Sequence, residues 1–179
     1  MGTLMSYLLL TVQLGLAGVF IVSAVAKMRA MSDTVRMWTD LLTAVRLPST
    51  LAGWGSWALI IGEALTGVAL LIPAPWFPIG LWPATALLVG FTGLAVVSAR
   101  TELDLRCACF GRATTRLGWR HVWRNTALLL LAITGIVAWT LGAAAPTEPA
   151  GIAVALLAAA LITVLAAFYD DIVDLVVEF

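Results

Sequence analysis

Five long apolar stretches, at about 4–26, 54–72, 79–98, 123–142 and 150–168, decide what this chain can become. Crossing the roughly 30 Å hydrocarbon layer of a bilayer takes about 20 helical residues, and each stretch has about that length. Inside lipid an unpaired amide or carbonyl costs several kcal/mol, and a helix pairs them all within one segment. The sequence therefore predicts an all-α polytopic membrane protein, with five transmembrane helices forming a single integral membrane domain over residues 1–179. Composition points the same way: 62% of residues are hydrophobic and 11% charged, against about 45–50% and about 25% in ordinary soluble domains. Net charge is zero, so no nucleic-acid partner is expected. The first stretch reads as a retained span and not a secretory signal, because no Lys or Arg precedes it and its apolar run is long.

Charge is informative through its placement. All ten Lys and Arg residues fall in the first connection (Lys27, Arg29, Arg36, Arg46) or the third (Arg100, Arg106, Arg112, Arg116, Arg120, Arg124). By the positive-inside rule these two connections are cytoplasmic. The N-terminus then lies outside and the C-terminus inside the cell membrane, and Trp54, Trp57, Trp119 and Trp123 mark the cytoplasmic interface.

Between the first two spans, residues 32–46 have the pattern of an interfacial amphipathic helix. Ser32 is its expected N-cap, Val35, Trp38, Leu41, Leu42 and Val45 share a face, and Pro48 closes it. In the fifth span Gly151, Ala155, Ala159, Thr163 and Ala167 recur every four residues, a stripe that lets another backbone approach closely. Its partner is either the same bundle, a second copy or another membrane protein. Asp170, Asp174 and Glu178 follow at helical spacing, placed either against the arginine-rich third connection or in solvent.

The third connection carries the chemistry. DLRCACFGRAT, residues 104–114, contains Cys107 and Cys109, the two cysteines of the chain, between Arg106 and Arg112. In an extended strand residues i and i+2 lie near the 7 Å limit of disulfide closure, so a bond here needs a turn, which Gly111 eases. A bond closed that way is strained, and strained exposed disulfides are the labile, exchanging kind. Neighbouring guanidinium groups favour the thiolate, the attacking species. Thiol redox chemistry is the leading reading, with inert cysteines or soft-metal binding by thiolates as alternatives.

Glu63 stands at the centre of the second span, where an ionisable group is a functional hypothesis by default. Counted from the span ends, Gln13 lies at nearly the same depth, so two readings of Glu63 stand level: a protonated side chain hydrogen-bonded to Gln13, or a group that moves protons or gates the thiols. At the start of the fourth span, His121 is a candidate base, while Arg124 and Asn125 fix the connection to the helix start.

With CACFG at 107–111, the downstream LGWRHVWRNTALLLLA, Lys27 closing the first span and Glu63 inside the second, the chain resembles the MauE branch of the DoxX-like membrane proteins, named for methylamine utilisation. The likeness covers roughly residues 4–142, a DoxX-like four-helix core, and leaves the fifth span and acidic tail outside. It implies a redox-associated membrane protein that works with a thioredoxin-like partner on the outer face of the membrane to form or isomerise disulfides in exported proteins. Cys107 and Cys109 match the family's cysteine pair, and Lys27 and Glu63 its polar positions; Ala108 stands where Gly is common.

The expectation is thus a membrane component of a thiol–disulfide relay. No bound cofactor is required, although a quinone can serve if the thiols are not reached from both faces. The alternatives are a soft-metal (Cu or Hg) transport or chaperone subunit, and a non-catalytic assembly subunit.

Overall fold

The computed structural model describes residues 2–72, 78–101, 117–144 and 146–177. These residues form α1 (Gly2–Arg29), α2 (Met31–Ala44), α3 (Ala52–Leu71), α4 (Leu81–Arg100), α5 (Trp119–Thr140), α6 (Pro149–Ala167) and α7 (Tyr169–Val177), with a 3-10 turn at Ser49–Leu51 leading into α3. No strand occurs among the described residues. Five of the helices (α1, α3 with its preceding turn, α4, α5 and α6) are long and apolar enough to cross a membrane. The chain is an all-helical, multi-pass membrane protein. Leu65, Leu130 and Leu157 are among many large apolar side chains left exposed along these helices, a surface that lipid covers.

Helix ends follow local chemistry. α2 closes with Arg46 in the left-handed region (φ 59°), so that its N–H reaches Thr43 O at 3.1 Å and the N–H of Leu47 reaches Leu42 O at 2.8 Å. Pro48 then prevents continuation. α5 closes in the same way at Gly142 (φ 84°), with Ala143 N–H donating to Ala138 O, and Pro149 occupies the first turn of α6. The expected Ser32 cap is not used: α2 begins at Met31 with Ala30 at the cap position. Only Ala30 separates α1 from α2, and its carbonyl accepts from the N–H groups of Asp33 and Thr34, so the start is set by continuity with α1. The buried face of α2 is Thr34, Met37 and Leu42, and Val45 is exposed.

α1 is the central helix, packed against α3, α5 and α6, while α4 lies along α5 and α2 along α3. Glycines show how close these approaches are. A Cβ on Gly18 would collide with Thr163, and one on Gly151 with the ring of Tyr7. Thr163 Oγ1 also donates to Gly15 O at 3.3 Å. These pairings run in the same sense along both helices, so α1 and α6 are parallel, and the small-residue stripe of the fifth span packs inside its own chain. On the other side of α1, Gly67 of α3 meets Ile21, whereas Gly55 lies under the Trp38 ring of α2. The first turns of α3 therefore extend past the end of α1 and are covered by α2.

One end of the bundle, where α1, α4 and α6 finish and α5 begins, carries Lys27, Arg29, Arg100, Arg120 and Arg124; it is called the basic end below. The opposite end carries the proline-containing connections. Near that proline end the core is apolar, with Val12, Leu16, Leu81, Ala84 and Ala132 fully buried.

Candidate functional site

Toward the basic end the core changes character. Lys27 and Glu63 are almost completely buried and form an ion pair, with Lys27 Nζ 2.8 Å from Glu63 Oε1 and 3.0 Å from Oε2. The ammonium also donates to Ser23 Oγ at 2.6 Å, and Ser23 Oγ donates to Glu63 Oε1 at 3.1 Å. Helix geometry explains the Lys27–Ser23 contact: a side chain leans toward the N-terminus of its helix and over the residue four positions earlier. The three protons of Lys27 and both oxygens of Glu63 are thus engaged within one neutral unit. The Phe91 ring of α4 lies beside it, its centroid 5.2 Å from Lys27 Nζ.

Arg124 and Asn125 approach from α5. With Val19, Phe20, Ser23, Lys27, Glu63, Leu88, Phe91 and Leu128 they line a cavity of about 20 Å³, room for one water-sized group. Arg124 Nη1 donates to Asp170 Oδ2 of α7 at 3.2 Å, and His121 Nε2 lies 3.8 Å from the same oxygen. One turn further along α7, Asp174 pairs with Arg120. The acidic tail therefore lies against the start of the fourth span, with residues four apart on α7 matched to residues four apart on α5. His121 Nδ1 and Asp170 Oδ1 are buried and lack a hydrogen-bond partner among the described residues.

Of the residues singled out in the sequence, the fold brings together Lys27, Glu63, Arg124 and Asn125. It does not bring in Gln13. Glu63 is held by Lys27 and Ser23, and Gln13 sits ten residues before Ser23, or roughly 15 Å away along α1 at about 1.5 Å per residue. The depth count assumed that both spans end level with each other, and α3 instead overhangs α1 under the cover of α2. Cys107, Cys109, Arg106, Arg112 and Gly111 lie outside the described residues, as does Glu178. Ser23, Phe91 and Asp170 were not read as parts of a site. A serine four residues before a lysine at the end of an apolar span was the available signal for Ser23. Among the described residues no three His, Cys, Asp or Glu side chains gather as a metal ion would require.

The sequence model of the family described as methylamine utilisation protein MauE matches residues 5–140 of the chain. This is well over half of the 179 residues, and the chain belongs to that family. The match runs through α1 to α5, which hold the Ser23–Lys27–Glu63 unit, Phe91, Arg124 and Asn125, while α6 and α7 lie beyond it. No curated protein and no solved structure gives a significant match.

Proposed function

We propose that this MauE-family chain is the membrane component of a thiol–disulfide relay, with Cys107 and Cys109 as the exchanging pair and a thioredoxin-like protein as its partner. The observation that carries the reading is the arrangement around the cysteine connection. Its flanking residues, Thr101 at the end of α4 and Leu117 just before α5, stand at the basic end of the bundle. There α5 begins with His121, Arg124 and Asn125, next to the buried Lys27–Glu63 pair. Burying four ionisable side chains is costly in a membrane protein and accompanies function; here they are gathered at the end of the bundle where α4 finishes and α5 begins, the two helices that the cysteine-bearing connection joins in sequence. Arg106 and Arg112 favour the thiolate form.

The relay reads as an accessory activity, consistent with the methylamine utilisation named in the family's description. By the positive-inside rule the basic end faces the cytoplasm of a cell that holds the protein in its inner membrane. The exchange itself is balanced. A partner disulfide accepts two electrons, two partner thiols form, and the Cys107 and Cys109 thiols become a disulfide; the reverse direction reduces the pair.

Replacement of either cysteine by Ser tests this directly. Cys107→Ser or Cys109→Ser leaves one thiol that attacks a partner but has no neighbour to resolve the product, so a reductant-sensitive mixed disulfide with a thioredoxin-fold protein accumulates. Absence of such an adduct from both single variants, in cells where the wild-type chain is active, contradicts the proposal.

A further inference from the structure

The hydrogen bonds already made around the cavity beside Lys27 decide what it can hold. The three protons of Lys27 go to Ser23 Oγ and to both oxygens of Glu63, and the Ser23 proton goes to Glu63 Oε1. Oε1 thus accepts twice and Oε2 once, which leaves a lone pair open on Oε2 and another on Ser23 Oγ. This wall of the cavity can only accept. From α5 come Arg124, whose guanidinium can only donate, and Asn125, whose amide does both. Among the described residues Glu63 takes hydrogen bonds from Lys27 and Ser23 and none from α5, although both walls line one space of about 20 Å³.

Charge excludes an ion. Lys27 is balanced by Glu63 and Arg124 by Asp170, so a small anion would meet the Glu63 carboxylate and a small cation would meet Lys27 and Arg124. Size excludes all but the smallest molecules, since about 10–15 Å³ is the least space that holds one water. An apolar hole stays dry, whereas a water is stable where two to four polar groups face it. Five of the ten lining residues here are polar: Ser23, Lys27, Glu63, Arg124 and Asn125.

We propose that the cavity binds a single water molecule in exchange with the aqueous boundary, donating to Glu63 Oε2 and accepting from Arg124 or Asn125. One wall accepts and the other donates, and water is the smallest neutral molecule that does both. Asp170, the partner of Arg124, is 24% exposed, which sets the boundary one residue away from the cavity. Bound there, the water joins the Lys27–Glu63 pair of α1 and α3 to the Arg124–Asp170 pair of α5 and α7. A pair inside the family match is thereby linked to a helix outside it, and α7 acts on Glu63 without touching it.

Water-edited solid-state NMR tests this on the full-length protein in proteoliposomes of deuterated lipid, with carbon-labelled Val and Leu methyl groups. Magnetisation selected on mobile water is expected to reach the methyls of Val19 and Leu128, which line the cavity, several-fold faster than those of Val12 and Leu16, which are fully buried toward the proline end. In the Lys27→Met/Glu63→Leu variant, which takes away the accepting carboxylate, the build-up at Val19 and Leu128 should fall to the Leu16 rate, with circular dichroism confirming that the variant is folded. Wild-type build-up at Val19 and Leu128 no faster than at Leu16 overturns the proposal whatever the variant does. Fast build-up that persists in the folded double variant also overturns it, because the water would then not be held by Glu63.

Discussion

The same bundle has two unlike cores. At the proline end, Val12 and Leu16 of α1, Leu81 and Ala84 of α4 and Ala132 of α5 meet with no exposed surface, and Gly80 sits so close to the Leu70 backbone that a Cβ would collide with it. At the basic end, α1, α3, α4 and α5 surround Lys27, Glu63, Ser23, Arg124 and Asn125. Lipid is as apolar as leucine, so helices in a bilayer are held by close contact and by polar groups more than by escape from water. The apolar end uses the first device and the basic end the second. Among the described residues, the second is where buried side chains have charges and hydrogen bonds to exchange.

The comparison is broken most strongly at the ion pair. Lys27→Met leaves Glu63 charged and unpaired in a buried site, which is expected to destabilise the protein by about 3–5 kcal/mol. In the Lys27→Met/Glu63→Leu double variant most of that loss should return. Denaturation in detergent, followed by circular dichroism, checks both. An equal loss in the single and double variants would mean that packing, and not pairing, holds the basic end.

At the proline end the corresponding change is Leu16→Ala. It removes contacts from a residue with no exposed surface and should cost about 2–4 kcal/mol, with the ion pair at the basic end and the proposed thiol exchange left intact. The same denaturation experiment, paired with thiol-exchange rates, separates the two cores. A matching collapse of exchange in folded Leu16→Ala protein would show that the ends are not independent.

The smallest effects belong to α7. Asp170→Asn removes the partly buried partner of Arg124 and should cost about 1 kcal/mol, discounted for the exposure of the carboxylate. Asp174→Asn breaks a pair whose side chains are 40% and 53% exposed and should cost no more than about 0.5 kcal/mol, fading as salt is raised. Thermal melts at low and high salt distinguish the two sites.

What could be read from the sequence differs between these regions for a physical reason. Span number and helical class follow from local hydropathy, and the five apolar stretches became the five long helices. Glu63 was conspicuous because a charge at mid-span has no local explanation. Its partner depended on the relative sliding of α1 and α3, a property of tertiary packing, and the count from span ends chose Gln13 where the fold uses Lys27. Ser23 was passed over for a related reason, despite its spacing from Lys27: serine in an apolar helix usually bonds back to its own backbone, as Ser56 does to Ala52 O at 2.8 Å. The stripe from Gly151 to Ala167 revealed that α6 packs closely but not against what. The acidic tail carried its partner in its spacing, since Asp170 and Asp174 repeat the interval between Arg120 and Arg124.

The most direct test of the account is a redox titration of the purified chain in nanodiscs, equilibrated with glutathione buffers from reducing to oxidising. At each step the free thiols are tagged with a maleimide large enough to shift the band on a gel. The account predicts one reversible two-electron transition in which both cysteines pass together from two tags to none. Two tags at every potential, or tags lost one at a time, would contradict it.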